Sequence, residues 1–294
     1  MLDIHPQALS KDLGGHWFGV YGTAPCPVCQ PDRRRDQNAL TISATEDGKL
    51  LIHCKKSSCG FSEILAALGH SNTDSQAYDT HRSLEAGAQR RTETLRKAAY
   101  ALQIWNAALP ISGSLAETYL RTRGITCGLP QTLRFHPSLW HGPSASNHPA
   151  MIAHVQGGDA FAIHRTWLAS DGTAKAEIDR PKAMMGPTRG GSVHLTNDGS
   201  DSIIVSEGIE TGLSIASFDC DFGNYCVAAL STSGLRSLRL PQIPGKLVIA
   251  RDGDAPGRSA AIDLAQRAHA LGWTVNFLDP PEGQDFNDVL MEMK

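Results

Sequence analysis

The sequence predicts an α/β protein of several domains: a small Cys-rich ribbon, a small α+β connecting region and a C-terminal domain on a Rossmann-like parallel sheet. Three observations carry this expectation. Four of the seven cysteines fall in two close pairs, Cys26-x2-Cys29 and Cys54-x4-Cys59, with 24 residues between them. From Ser202 onward, short apolar runs alternate with helical segments, the rhythm of βαβ units whose parallel strands are buried on both faces. Between these ends, residues 82–200 pass from Ala- and Leu-rich helical periodicity to short apolar runs separated by long polar stretches. The 294 residues are enough for such an arrangement.

Composition narrows the class. At 41% apolar and 19% charged residues the chain is too apolar to be disordered. No run of about 18 apolar residues occurs, so no transmembrane helix is expected. The first residues carry acids and lack a basic segment followed by an apolar one, so no secretory signal is expected and a cytoplasmic location is. The net charge of −3 divides unevenly: residues 1–125 carry 14 Lys and Arg against 12 Asp and Glu, whereas residues 126–294 carry 13 against 18. A basic front before an acidic back suits a nucleic-acid grip ahead of a cation site.

In chain order, residues 1–20 read as a short helical lead with Ile4, Leu9 and Leu13 apolar. Residues 39–43 and 49–54 read as two strands joined by a turn at Glu46-Asp47-Gly48. Residues 61–68 form a helix stopped by Gly69, and the polar stretch 70–81 is a linker. Helices follow at 82–109, ending before Pro110, and at 114–123, closing at Gly124. Residues 125–200 suggest a small, mostly antiparallel sheet around the runs 151–155 and 161–168. Strands at 203–206, 225–230, 246–250 and 274–278 and helices at 209–218 and 257–271 complete the chain. The expected domains are 1–69, 82–200 and 201–294, with 70–81 between the first two.

The paired cysteines predict a zinc ribbon. Zinc takes four tetrahedral thiolate or imidazole ligands, and two cysteines at short spacing deliver two thiolates from one knuckle. Cys26, Cys29, Cys54 and Cys59 are the expected ligands; His53 is an alternative to Cys54 but reads better as a strand-edge residue. Four protein ligands leave no open position for water, so the zinc is structural. Arg33-Arg34-Arg35 and Lys55-Lys56 lie in or beside the ribbon, as a solvated surface or as phosphate contacts. Trp17, Phe18 and Phe61 could stack bases, with core packing the stronger expectation for each. Cys127, Cys220 and Cys226 read as buried apolar residues.

The acids of the last hundred residues form a second constellation. Glu207 follows the strand 203–206, and Asp252 and Asp254 follow the strand 246–250. In a parallel sheet the carboxyl ends of the strands form the ligand crevice, so the three carboxylates are expected to converge there. Each alone would suit a helix N-cap, Asp254 before Pro256 above all. Together at two strand ends they suit a hard divalent cation, which a few carboxylates and substrate phosphates hold.

Glu207-Gly208 after one strand and Asp252-x-Asp254-x-x-Gly257 after a later one resemble the Toprim domain shared by bacterial-type primases, type IA and II topoisomerases and some nucleases. A zinc ribbon, a connecting region and then Toprim is the order of bacterial, phage and plasmid DNA primases. Residues 116–125 resemble the opening of the primase catalytic core. His164-Arg165-Thr166-Trp167-Leu168, Asp171-Gly172 and Arg180-Pro181-Lys182 resemble its basic subdomain. Gln284-Asp285-Phe286-Asn287-Asp288 resembles the ending of phage-like Toprim primases. No Gly-x4-Gly-Lys-[Ser/Thr] motif occurs, and the chain ends six residues past Asp288, so neither a fused helicase nor a helicase-interaction domain is expected.

The resemblance implies primer synthesis on single-stranded DNA from ribonucleoside triphosphates, with a separate replicative helicase as partner and no membrane involvement. It implies Mg2+ or Mn2+ on Asp252, Asp254 and Glu207, with Glu207 alternatively a general base, and assigns Asp285 and Asp288 a secondary place, with a solvated acidic C-terminus as their alternative. Arg165, Lys182 and Arg189 become contacts for template or triphosphate, against a surface ion-pair role for each. A Toprim nuclease using the same acids is the first rival, and a non-catalytic single-stranded nucleic-acid-binding protein is the second. A topoisomerase would need a separate tyrosine-bearing domain, for which there is little room.

Overall fold

Pro6 at the first helical position and His5, whose Nδ1 accepts from the Gln7 N–H, open α1 (Pro6–Asp12). The expected helical lead over 1–20 is shorter than that: the chain turns at Gly14-Gly15 into β1 (His16–Trp17). The computed structural model describes residues 5–30, 38–45, 50–69, 80–196, 202–218, 225–251 and 255–293. They divide into two units, 1–93 and 94–294.

In the first unit, β1 continues through β2 (Gly22–Ala24), β3 (Leu40–Ala44) and β4 (Leu50–Cys54) into an antiparallel sheet in that order. β3 and β4 are the expected ribbon strands. β1 and β2 are too short and too Gly-rich to show a period of two in sequence. Leu9, Leu13, Leu40, Ile42 and Ile64 form a small core between the sheet, α1 and α2 (Phe61–Ala67). Phe18 and Phe61 do not join it, contrary to the expected core packing: they are 54% and 38% exposed. Phe61 occupies the first turn of α2, whose inward face is taken by Ile64 and Leu65. Residues 70–79 of the expected linker and Arg33, Arg34 and Arg35 lie outside the described residues.

The second unit begins within α3 (Thr80–Ala107) and runs through β5 (Leu109–Pro110) to α4 (Leu115–Thr122). Ser114 caps α4 by accepting from the Glu117 N–H, and Glu117 reaches back to the Gly113 N–H at 2.7 Å. β6 (Leu133–His141), β7 (Ser146–Val155), β8 (Ala162–Trp167) and β9 (Lys182–Met185) then build the expected antiparallel sheet, in the order β5-β6-β7-β8-β9. Ala101, Ile104 and Ala108 pack against one face of it, on Ile152, Ile163 and Trp167.

The remaining elements are β10 (Val193–His194), β11 (Ser202–Ser206), α5 (Ile209–Ser217), β12 (Tyr225–Ala228), α6 (Thr232–Ser237), β13 (Lys246–Ala250), α7 (Ala255–Ala270), β14 (Thr274–Leu278) and α8 (Phe286–Glu292). Their sheet has the order β10-β12-β11-β13-β14, parallel throughout except for β10 at one edge. The antiparallel edge, α6 and α8 were not expected from sequence. Alternate strand residues face opposite layers. Ile203, Val205, Leu247 and Ile249 pack on α6 and α7, whereas Ile204, Val248 and Ala250 join a core shared with α4, α5, α8 and the antiparallel sheet. α5 lies very close to the sheet at Gly212, where a Cβ would stand 2.4 Å from Leu195 Cδ1 and 2.7 Å from Ser206 Oγ.

Candidate functional site

β11 and β13 are parallel neighbours in a register that pairs Val205 with Ile249, so they end together at one edge of the sheet. Glu207 follows one end and Arg251 the other. The backbone of Glu207 is fixed: its carbonyl accepts from the Leu230 N–H at 2.7 Å, and the preceding Ser206 hydroxyl donates to the Gly208 carbonyl at 2.8 Å. Leu230 meets it with φ of 71°, a left-handed conformation costly for a leucine. Gly208 caps α5, so the half-buried Glu207 side chain sits between a strand end and a helix start. Asp252 and Asp254 lie outside the described residues, between the end of β13 and the start of α7.

A cleft of about 510 Å³ is lined by Arg251, Arg258, Asp279, Asp285 and Asp288 and by residues 280–284. The Arg251 guanidinium grips both oxygens of Asp279 and holds that carboxyl below the usual carboxylate range. Asp285 and Asp288 line the cleft and also form a capping box on α8. Asp285 accepts from the Asn287 and Asp288 N–H groups, and Asp288 accepts from the Asp285 N–H at 3.0 Å.

The predicted cations divide. Arg165 on β8 is engaged within the fold: its guanidinium donates to the Met184 carbonyl and lies 4.9 Å from the centre of the Trp167 ring. Arg189 is exposed, on the turn before Gly190. Lys182 reaches across to α5, with its Nζ 3.4 Å from Oε2 of Glu210. Its backbone neighbour across β8 is Thr166.

Glu210, which the sequence reading did not single out, is the centre of the strongest polar cluster described. Its carboxylate is 6% exposed and receives Lys175 Nζ at 3.2 Å, Lys182 Nζ at 3.4 Å and the Tyr119 hydroxyl at 2.8 Å. Burial alone would raise its carboxyl, but the charges of Lys182 and Lys175 and the hydrogen bonds to it win and hold it far below the usual range. The same burial raises the Tyr119 hydroxyl, with the Glu210 charge adding to it. His164, buried on the neighbouring strand, is pushed down to about 4 by loss of solvent and is neutral near pH 7. Only the chemistry of burying a carboxylate could have signalled Glu210, since its partners lie far away along the chain.

In the first unit Cys26, Cys29, Cys54 and Cys59 converge, their four sulfurs all within 4.8 Å of one another. Cys29 and Cys54 Sγ are 3.6 Å apart, close to the edge of about 3.8 Å of a tetrahedron built on zinc–sulfur bonds of about 2.3 Å. Burial would raise the Cys54 thiol, but the N–H groups of Ser57, Cys59 and Lys56 outweigh it and lower the thiol to about 6. Burial and the neighbouring sulfurs push Cys59 up to about 12. Four crowded thiols that cannot all ionise unaided suit a dication, so the donor set fits zinc. Cys226 is buried as expected, Cys127 is only partly buried, and Cys220 lies outside the described residues.

No curated protein matches the chain. The zinc-binding and RNA polymerase domains of Aquifex aeolicus primase are similar at 14% identity, over 97% of this chain and 79% of that one, with a TM-score of 0.41. The RNA polymerase domain of Mycobacterium tuberculosis primase DnaG is similar at 18% identity, over 69% of this chain and 80% of that one, with a TM-score of 0.42. The primase fragment of the bacteriophage T7 primase-helicase protein is similar at 12% identity, over 92% and 94% of the two chains, with a TM-score of 0.34. No helix among the described residues is long and apolar enough to cross a membrane. Residues 95–195 match a family described as a domain of unknown function (DUF7146), and residues 202–293, which carry the paired strand ends at Glu207 and Arg251, match the family described as the Toprim domain.

Proposed function

We propose that this protein is a DNA primase that joins ribonucleotides into short primers on single-stranded DNA by metal-dependent nucleotidyl transfer. The observation that carries the reading is the Toprim strand-end pair, with Glu207 beside the strand that leads into Asp252-Gly253-Asp254, in a chain that also holds a four-cysteine ribbon. Glu207, Asp252 and Asp254 would hold Mg2+ or Mn2+, which neutralises triphosphate charge and lowers the cost of forming a 3′-alkoxide. Glu207 has the alternative role of taking the 3′-hydroxyl proton. Lys182 and Arg189 contact template or triphosphate, and Arg165 braces the strand beside Lys182. Asp285 and Asp288 hold the cleft wall in place through the α8 cap. The ribbon grips template, and a separate replicative helicase supplies it.

The test is incubation of the protein with a single-stranded oligonucleotide, labelled ribonucleoside triphosphates and Mg2+ or Mn2+. Extension products are expected. Cleavage without extension moves the reading to a Toprim nuclease, and binding with neither moves it to a non-catalytic single-stranded nucleic-acid-binding protein.

Elemental analysis is expected to find one zinc per chain, held by Cys26, Cys29, Cys54 and Cys59. Cys54→Ser is expected to lose the metal and unfold the ribbon while residues 94–294, which have their own cores, keep their thermal transition. Protein purified without chelators yet free of zinc would remove the metal from the reading.

A further inference from the structure

We propose that the tip of the β1–β2 hairpin is a stacking platform for the bases of single-stranded DNA, built from Phe18 and Tyr21. The inference rests on the primase reading, which already has the ribbon grip template, and adds which residues do so and by what force. The two rings are stacked on each other, with centroids 5.2 Å apart and planes at 29°, and they are 54% and 41% exposed. Two large aromatic side chains left in water give up the burial that most such residues obtain. A stacked pair with open faces can be continued by another planar ring.

The pair is held for that purpose. The Phe18 N–H donates to the Tyr21 carbonyl at 2.7 Å and closes a loop of two residues. Gly19 takes φ of 80° there, which glycine permits and which tight hairpin loops demand. Beneath the tip, the buried Ser10 hydroxyl donates to the His16 carbonyl at 3.0 Å, with the Thr23 carbonyl also in reach at 3.3 Å. Trp17 lies over Gly22, where a Cβ would stand 3.0 Å from its ring. The platform is therefore anchored on α1 and on the sheet that carries the cysteines.

Charge favours a nucleic acid over a protein helix as the occupant. No Asp or Glu occurs between Asp12 and Asp32, so no carboxylate of that segment repels phosphate. Lys55 and Lys56, both exposed, follow Cys54 at the end of the sheet away from the tip, so they offer cations to nucleotides further along a bound strand and not to those stacked on the rings. Two rings form too small an apolar patch to seat a helix, but they match one or two bases. Base stacking on aromatic side chains is sequence-tolerant because every base has a π-face.

The experiment compares binding of oligothymidylate with binding of an abasic oligomer of equal length, at several salt concentrations. The wild-type protein, the Phe18→Ala/Tyr21→Ala double variant and the Phe18→Tyr/Tyr21→Phe double variant are each measured, with zinc content as the check on folding. Wild type is expected to prefer oligothymidylate. The alanine pair should weaken that binding by roughly tenfold or more and erase the preference, with the salt slope unchanged because no phosphate contact is lost. The aromatic exchange should retain both.

Equal wild-type affinity for the two oligomers would overturn the platform without any variant being made. A zinc-loaded alanine pair that bound as wild type would overturn it too, and would turn attention to a protein occupant. In either case continued primer synthesis would leave the primase reading standing. A wild-type protein that bound no single-stranded DNA would sink both.

Discussion

Asp252→Asn and Asp254→Asn are each expected to abolish primer synthesis, by at least about a thousandfold, while single-stranded DNA binding stays intact or tightens slightly. The argument is electrostatic. A carboxamide gives a divalent cation a weaker ligand, and the charge that develops on the α-phosphate then goes uncompensated, an interaction commonly worth several kcal/mol in a water-excluded site. If the proposed primase reading holds, template grip comes from the ribbon and the basic middle segment, so removing an acid should relieve repulsion of phosphate and cost nothing in binding. Glu207→Gln should behave alike, with residual activity if Glu207 takes the proton instead of holding the metal. Primer extension and DNA affinity measured on the same preparations check this. A variant with wild-type synthesis would remove that acid from the mechanism.

The second large effect is on stability. Glu210→Ala is expected to destabilise residues 94–294 by about 2–3 kcal/mol: it leaves the Tyr119 hydroxyl and the Lys175 and Lys182 ammonium groups without their acceptor, although the two lysines, partly exposed, regain water. Glu210→Gln should cost less, since it keeps the shape and can still accept from Tyr119. The pH dependence has a definite sign. The folded Glu210 carboxyl lies far below its ordinary value of 4.5, so its contribution is fully present above that value and drains away as the pH falls below it. Urea midpoints of wild type and Glu210→Gln should therefore converge on acidification. A difference that stayed constant from pH 7 to pH 3 would show that the ion pairs contribute nothing.

Glu207 and Glu210 stand three residues apart, and nothing local in the sequence separates an acid that follows a strand end from one locked to two lysines. Position after a strand is what singles out Glu207 in the sequence. Glu210 is defined by Tyr119, Lys175 and Lys182, which come from α4, the loop before β9 and β9 itself, so only the tertiary fold reveals it. The parallel sheet was legible for a related reason. β11, β12 and β13 are buried on both faces and so carry unbroken apolar runs, whereas β1, β2, β5 and β10 are two or three residues long and show no period. The cysteine pairs were legible because thiolate ligands must come in close pairs whatever the surrounding fold. Phe18 misled because hydrophobicity predicts burial on average and says nothing of a ring left in water at a hairpin tip. Asp285 and Asp288 are given only a secondary place in the metal site by the resemblance, although the Asp-x-x-Asp spacing ahead of Val289 and Leu290 also spells a helix cap.

The last helix has a consequence for how the chain is made. Phe286 and Leu290 of α8 complete the core shared with α4 and α5, and Asn287 donates to the Arg123 carbonyl, 164 positions earlier. A ribosome adding about 5–20 residues per second needs on the order of ten seconds or more to cover that interval, far longer than a hairpin or a helix takes to form. Through that time α4 and the antiparallel sheet wait with an apolar face uncovered. The strands and α5 made in that interval cover part of this face, but the patch under Phe286 and Leu290 stays open until α8 is made, and a ribosome stalled ahead of Phe286 would display a surface that the finished molecule never shows.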